Sequence, residues 1–173
     1  MINFVFGTTA LSNRLEDFLS FMQVNKPFWQ TKTLFEMTPD EWESICDGCA
    51  KCCLTQLQDE ETEQLVFTDV ACDLLDDQIC RCTDYNNRSA RVPSCVTMNK
   101  DNVEDSAAFA PPSCAYRLLL EDEPLPDWHH LNSGDSQTVH RKGQSVRHRV
   151  RFLREVGDDN IQDYIVDWPA TKG

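Results

Sequence analysis

Residues 46–53 read Cys46-Asp47-Gly48-Cys49-Ala50-Lys51-Cys52-Cys53, four thiols in eight residues at CxxCxxCC spacing. A two-residue gap lets two thiolates turn back onto one ion, which is why such spacing recurs in zinc and iron-sulfur sites. The adjacent pair needs a separate account, because neighbouring side chains diverge. On a continued helix Cys46, Cys49 and Cys53 share a face while Cys52 points elsewhere. One member of the pair therefore serves a second metal, bridges two metals, or is free for chemistry. Five further cysteines follow, Cys72, Cys80, Cys82, Cys95 and Cys114, so thiols outnumber the ligands of a single tetrahedral site. Two four-cysteine sites consume eight, bridging thiolates fewer, and one four-ligand site leaves the remainder as buried or redox-active thiols. Taken singly, Cys72 or Cys114 also reads as a small buried hydrophobe.

The rest of the composition gives these thiols a structural task. A chain of 173 residues fits one domain. Its hydrophobic class is 40%, and without the nine cysteines only about 35% remains to build a core, thin for a globular protein. A bound metal supplies folding energy directly, roughly 10 to 16 kcal/mol for structural zinc in small peptides. That exceeds the stability of a typical domain. Sixteen Lys and Arg face 29 Asp and Glu, a formal charge of -13, which argues against general binding to nucleic acid or anionic membranes. Nine is odd, so complete internal disulfide pairing is excluded. The start Met1-Ile2-Asn3-Phe4-Val5-Phe6 lacks a basic n-region, and its apolar run breaks at Gly7-Thr8-Thr9, unlike a secretory signal. No stretch approaches the ~20 apolar residues of a membrane helix. The expected location is the reducing cytoplasm, where clustered cysteines serve as metal ligands or redox groups.

Along the chain, residues 1–26 read as an N-terminal extension, with Leu11, Leu15, Phe18, Leu19 and Met22 at helical spacing. The metal-binding domain is expected over 27–173. Thr38-Pro39-Asp40-Glu41 is the clearest helix start, with Thr38 as cap, Pro39 at the first helical position and Glu41 completing a capping box. Trp42, Ile45, Cys46 and Cys49 then fall at i, i+3, i+4 and i+7, so the apolar face runs into the first cysteines and the helix opens near Gly48. The acidic stretch Asp59 to Glu63 reads as a solvated connection, with a bound cation as the sharper alternative. A strand is expected from Leu65 to Cys72. A turn at Asp76-Asp77-Gln78 leads into Ile79-Cys80-Arg81-Cys82, where an extended chain puts Cys80 and Cys82 on one face. Pro93, Pro111 and Pro112 place Cys95 and Cys114 near loops or element starts. Ala115 to Leu120 fits a short helix, Ser145 to Phe152 a surface strand in preference to a helix, and Asp159 to Ile165 a last short helix stopped by Pro169. The fold class is α+β: one small cysteine-rich domain of short helices and a few short strands around a cysteine cluster.

Several separated motifs carry a resemblance: Cys46 to Cys53; Cys80 and Cys82 followed by Tyr85 and Arg88; and Pro93-Ser94-Cys95. With Pro27-Phe28-Trp29, Cys114-Ala115-Tyr116-Arg117-Leu118, Leu125-Pro126-Asp127-Trp128-His129 and Ser145-Val146-Arg147, they occur in the order of the bacterial YcgN-like cysteine-cluster proteins. The chain resembles that family, part of a wider set carrying a zinc- or iron-chelating CxxCxxCC domain. All nine cysteines fall at cysteine positions of its pattern. The departures are His130, where the family has proline, and residues 1–26, which precede its usual start. The resemblance implies a cytoplasmic bacterial protein that binds zinc or iron, without implying a particular biochemical activity.

Other residues are weaker candidates. His129, His130, His140 and His148 could complete a mixed site, His129 and His140 lying within family-like motifs; the thiol surplus makes a structural role the simpler reading. Tyr85 and Arg88, three apart, could sit beside the thiolates and lower their pKa. Segment 141–154 holds six Lys or Arg and no acid, against ten basic and 29 acidic residues elsewhere. Internal pairing explains it more simply than an anion or nucleic-acid site. No phosphate-binding glycine loop, GxSxG or HExxH occurs. The expected function is a metal-binding protein coordinating zinc or iron, structural or metal-handling. The alternative is an iron-sulfur redox or electron-transfer enzyme with Cys52 or Cys53 reactive; a weaker one is an interaction module acting through 141–154.

Overall fold

The computed structural model describes residues 26–62 and 64–168; the helix expected within 1–26 and the stop at Pro169 lie outside them. Helix α1 (Pro39–Ser44) opens as its sequence dictates. Thr38 Oγ1 accepts the Glu41 N–H at 3.2 Å, and the Glu41 carboxylate accepts the Thr38 N–H at 2.8 Å. The helix ends at Ser44, earlier than its apolar spacing predicts. Two distant side chains take carbonyls from its last turn: Tyr116 Oη donates to Trp42 O at 2.9 Å, and His129 Nε2 lies 3.0 Å from Ile45 O. Beyond it Gly48 (φ +74°) and Ala50 (φ +60°) are left-handed, a conformation that cannot continue a right-handed helix.

Strands β1 (Leu54–Gln58) and β2 (Leu65–Ala71) form an antiparallel pair, with Leu54 opposite Ala71 and Gln58 opposite Leu65. The acidic turn between them is exposed, and Asp59 Oδ1 accepts the N–H groups of Glu61 and Thr62, so the solvated reading holds. Strands β3 (Leu75–Asp76) and β4 (Arg81–Cys82) make a small hairpin, and β5 (Arg151–Phe152) joins β2 in parallel. The expected strand over 145–152 thus shrinks to two residues. His148 is left-handed (φ +57°) and Arg149 N–H turns back to Val146 O at 2.9 Å, which breaks the extension. Short helices fill the remainder: α2 (Arg88–Arg91), α3 (Val103–Ser106), α4 (Ala115–Leu120), α5 (His130–Ser133), α6 (Thr138–Arg141) and α7 (Leu153–Val156), followed by a 3-10 turn over Asp158–Tyr164. The architecture is α+β, as the sequence indicates.

Apolar burial falls into clusters that the cysteine loop joins. Leu34, Met37, Trp42, Ile45, Val103, Ala115 and Leu125 pack on the helical side. Ala50, Leu54, Ala71, Leu75, Cys80 and Val146 pack beneath the sheet, and Cys49 packs with Trp128 and Val139. The basic segment pairs inward: Arg141 with Asp135 at 2.7 Å, Arg154 with Asp73 at 3.3 Å, and Arg151 with Asp69 at 3.5 Å. Among the described residues no helix is long and apolar enough to cross a membrane.

Because the capping box starts the helix that leads into the cysteine loop, Thr38→Ala is expected to lower stability by about 1 kcal/mol. A urea unfolding curve with an unchanged midpoint would show the cap to be dispensable.

Candidate metal centre

The CxxCxxCC segment is a loop whose backbone is held at nearly every turn. Cys49 O accepts the Val146 N–H at 3.0 Å, Ala50 O accepts the Cys53 N–H at 3.0 Å, and Cys53 O accepts the Cys72 N–H at 2.8 Å. Asp47 is buried; its Oδ1 accepts the Cys49 N–H at 2.9 Å, while Oδ2 is buried with no hydrogen-bond partner among the described residues. Gly48 suits its place on two counts. Its φ suits glycine, and a Cβ there would stand 3.2 Å from the Arg81 guanidinium, which lies against the loop.

All nine cysteines are free thiols. Around the loop they act on one another. Burial pushes the Cys46 thiol up to about 11, with Asp47 and Cys52 adding to the rise and the Gly48 N–H and Arg81 opposing it. Cys49 is pushed well up by burial, then by Asp47, Cys52 and Cys46. Cys114, at the start of α4, is pushed up to about 12 by burial; Cys52 and Asp47 add to this, and the N–H groups of Arg117 and Tyr116 work against it. Cys52 is raised first by its hydrogen bond with Cys53, then by burial and the Cys53 charge. Its side chain is exposed, although protein surrounds the sulfur as densely as a buried one. Cys52 is the solvent-exposed member of the set. Cys95 is raised by burial and by Cys52, Cys72 and Cys82, with Arg88 opposing.

Cys80 is placed differently. It is left-handed (φ +53°), so it does not share an extended face with Cys82. It is buried, which raises its pKa, and the groups acting most on it are the Ser145 hydroxyl, Arg147, Asp77 and Arg81.

The histidines are engaged elsewhere. His129 is fully buried; Nδ1 accepts the Leu131 N–H at 3.2 Å, so Nε2 carries the proton and donates it to Ile45 O. It holds the residue before Cys46 and has no nitrogen to spare. His140 Nδ1 meets Ser145 Oγ at 2.7 Å, His130 stacks on His129 at 4.5 Å, and His148 is an exposed partner of Asp77 at 3.9 Å. Arg88 lies over the Tyr85 ring at 3.7 Å, and Tyr85 Oη donates to Glu43 at 3.2 Å.

Sequence reasoning passed over Lys51, Asp47, Ser113 and Arg81. Lys51 is 1% exposed and its Nζ donates to Ser113 Oγ at 3.1 Å. Burial lowers its pKa, while Cys49 and Asp47 hold it up. A lysine between cysteine pairs is the signal that could have found it, since a buried ammonium is stable only beside negative charge. The donor chemistry suits a thiophilic divalent cation: sulfur in surplus, a buried carboxylate oxygen with no partner, and positive groups at Lys51 and Arg81. Among the described residues no group of three or more His, Cys, Asp or Glu side chains meets in a geometry that could hold a metal ion. The fold therefore gathers the thiols without bringing them to bonding distance.

Residues 45–115 match the family model described as "CxxCxxCC: Putative zinc- or iron-chelating domain". The chain is 54% identical over 144 residues to a UPF0260 protein of Parvibaculum lavamentivorans, covering 83% of this chain and 94% of that one. It is also 54% identical over 144 residues to one of Granulibacter bethesdensis (83% and 85% covered), and 50% identical over 147 residues to one of Agrobacterium fabrum (85% and 90%). The chain belongs to the UPF0260 family, in line with the resemblance read from its motifs. No solved structure matches it.

Burial lowers the pKa of His129 below the ordinary 6.5. The unfolded chain then takes up a proton below about pH 6.5 that the folded chain refuses, so this contribution to stability is lost as pH falls. The stability gap between the wild type and His129→Gln is expected to narrow below that pH. A gap that stays constant from pH 7.5 to 5 would contradict the neutral assignment.

Proposed function

We propose that the protein binds zinc or iron through thiolates of the cysteine cluster, in a structural or metal-handling role. The observation that carries this reading is the placement of Cys46, Cys49, Cys52 and Cys114 around one loop, where burial and mutual charge keep Cys46 near 11 and Cys114 near 12. Thiols crowded around one loop in this way are stabilised by a cation that replaces their protons. The metal-binding unit is taken to span 27–173, with 1–26 as an appendage, and free thiols suit a reducing cytoplasm. The inward pairing of Arg141, Arg151 and Arg154 speaks for metal as the ligand over an acidic partner held by that segment.

A second reading, an iron-sulfur centre in redox or electron transfer, draws on the exposed Cys52, which sets one sulfur of the cluster at the solvent boundary. Elemental analysis beside an optical spectrum of anaerobically purified protein separates the two. A brown sample with visible absorption supports the iron-sulfur centre; a colourless one with stoichiometric zinc supports the first reading.

Stripping the metal under reducing conditions is expected to abolish cooperative thermal unfolding. A reduced, metal-free sample that unfolds with full cooperativity, followed by circular dichroism, would overturn the structural role.

A further inference from the structure

The arginines of this chain differ in what they meet. Among the described residues five pair with carboxylates: Arg91, Arg117, Arg141, Arg151 and Arg154. Arg88 and Arg149 lie over the rings of Tyr85 and Trp168 and donate to backbone carbonyls. Arg81 and Arg147 do neither. Arg81 is exposed, and its side chain has no ion-pair or hydrogen-bond partner among the described residues. Asp76 stands directly across the hairpin from it, yet Asp76 Oδ1 accepts the N–H groups of Gln78 and Ile79 instead, at 2.9 and 3.3 Å. Arg147 donates to one neutral group, Gln137 Oε1 at 3.2 Å, while its Nε is buried with no partner. A buried donor without an acceptor is costly, and in a chain with 29 acidic residues two guanidiniums without a carboxylate are the exception.

The fold sets both side chains beside the same stretch of the cysteine loop. The Arg81 guanidinium lies against Gly48, 3.2 Å from where a Cβ would stand. Arg147 follows Val146, whose N–H is bonded to Cys49 O at 3.0 Å, so the two arginines are anchored at consecutive loop residues. On the other side of Arg147, the His148 N–H reaches Asp77 O at 3.4 Å, on the hairpin that carries Arg81. Both guanidiniums are near enough to act on Cys80 and on His140, whose Nδ1 meets the buried Ser145 Oγ at 2.7 Å. Neither Asp47 nor Asp77 pairs with them: Asp47 Oδ1 accepts the Cys49 N–H at 2.9 Å, and Asp77 faces His148 at 3.9 Å.

We propose that Arg81 and Arg147 form a seat for a small oxyanion of the phosphate class, free or carried as a phosphomonoester. Each guanidinium presents N–H donors in a fixed fork that matches two oxygens of such an anion. Two forks brought by different segments suit a tetrahedral anion, whose oxygens do not share one plane, over a flat carboxylate. A phosphate group carries about two negative charges near neutral pH and gives the Arg147 Nε–H the acceptor it lacks. Arg147 is thus the exception within the basic segment, whose Arg141, Arg151 and Arg154 are neutralised by their own carboxylates. One pair of guanidiniums fits a single phosphate group and not a nucleic-acid strand, which needs a series of them. The seat uses no thiolate, so it stands apart from the metal-binding reading.

The test is calorimetric titration of inorganic phosphate into the full chain, as purified under reducing conditions, at an ionic strength held constant with chloride. Phenyl phosphate is titrated in a parallel arm. Saturable binding of about one anion per chain is expected, weakened roughly tenfold or more in Arg81→Gln and in Arg147→Gln and unchanged in Arg141→Gln, whose arginine is already paired. Tighter binding of the ester assigns the seat to a phosphorylated molecule and tighter binding of inorganic phosphate to the free ion; either supports the proposal. Absence of saturable binding, or binding equally strong in both seat variants, overturns it, and the guanidiniums then serve the loop alone. If a variant does not fold, the Arg147 Nε–H signal in a proton–nitrogen NMR spectrum of the wild type decides. A shift with phosphate and none with matched chloride supports the seat, and any other result overturns it.

Discussion

The segment from Ile45 to Leu54 has to belong to three packing environments within ten residues. Ile45 is sealed among the helical residues, Cys49 sits against Trp128 and Val139, and Ala50 and Leu54 lie under the sheet. A regular helix or strand presents only one or two faces; a chain that must turn through three directions needs left-handed residues, and Gly48 and Ala50 supply them. Placing an alanine there costs on the order of 1–2 kcal/mol. The surrounding hydrogen bonds to Ile45, Cys49, Ala50 and Cys53 hold it in place.

Local signals in the sequence survived folding wherever their partners are local. The Thr38 capping box, the helix at Ala115–Leu120 and the strand from Leu65 are written within a few residues of where they act. The early end of α1 is not, because the groups that take its last carbonyls, Tyr116 and His129, lie 74 and 84 residues away. The alternation over 145–152 fails for a similar reason: the sheet pairs only Arg151 and Phe152, while Val146 is spent capping Cys49. Motif spacing identified the thiols but not their local backbone, since Cys80 is left-handed through a torsion that spacing does not encode. Lys51 is hard to read for a different reason, its place among the cysteines being the one hint. In composition it is one more surface charge, and only its burial against Ser113 makes it part of the cluster.

Charge is distributed by neighbourhood. The overall -13 is an average over an acidic exterior, a basic segment folded onto it by ion pairs, and a thiol cluster whose sign depends on what it binds. Exposed pairs such as Arg141 with Asp135 contribute little stability individually. Their main effect is to neutralise a segment that would otherwise attract anions. The buried Lys51 at the loop acts at shorter range and in lower dielectric, where a single charge counts for more.

The hydrogen bond from Val146 to Cys49 carries a consequence for synthesis. At about 5–20 residues per second, a ribosome needs roughly 5–20 s to reach the far partner of that bond. For part of that interval the leading thiols of the loop lie outside the ribosome while Val146 is still to be made. A cluster built from such long-range contacts forms late. The thiols of the nascent chain are therefore open to oxidants before the contacts that cover them can form.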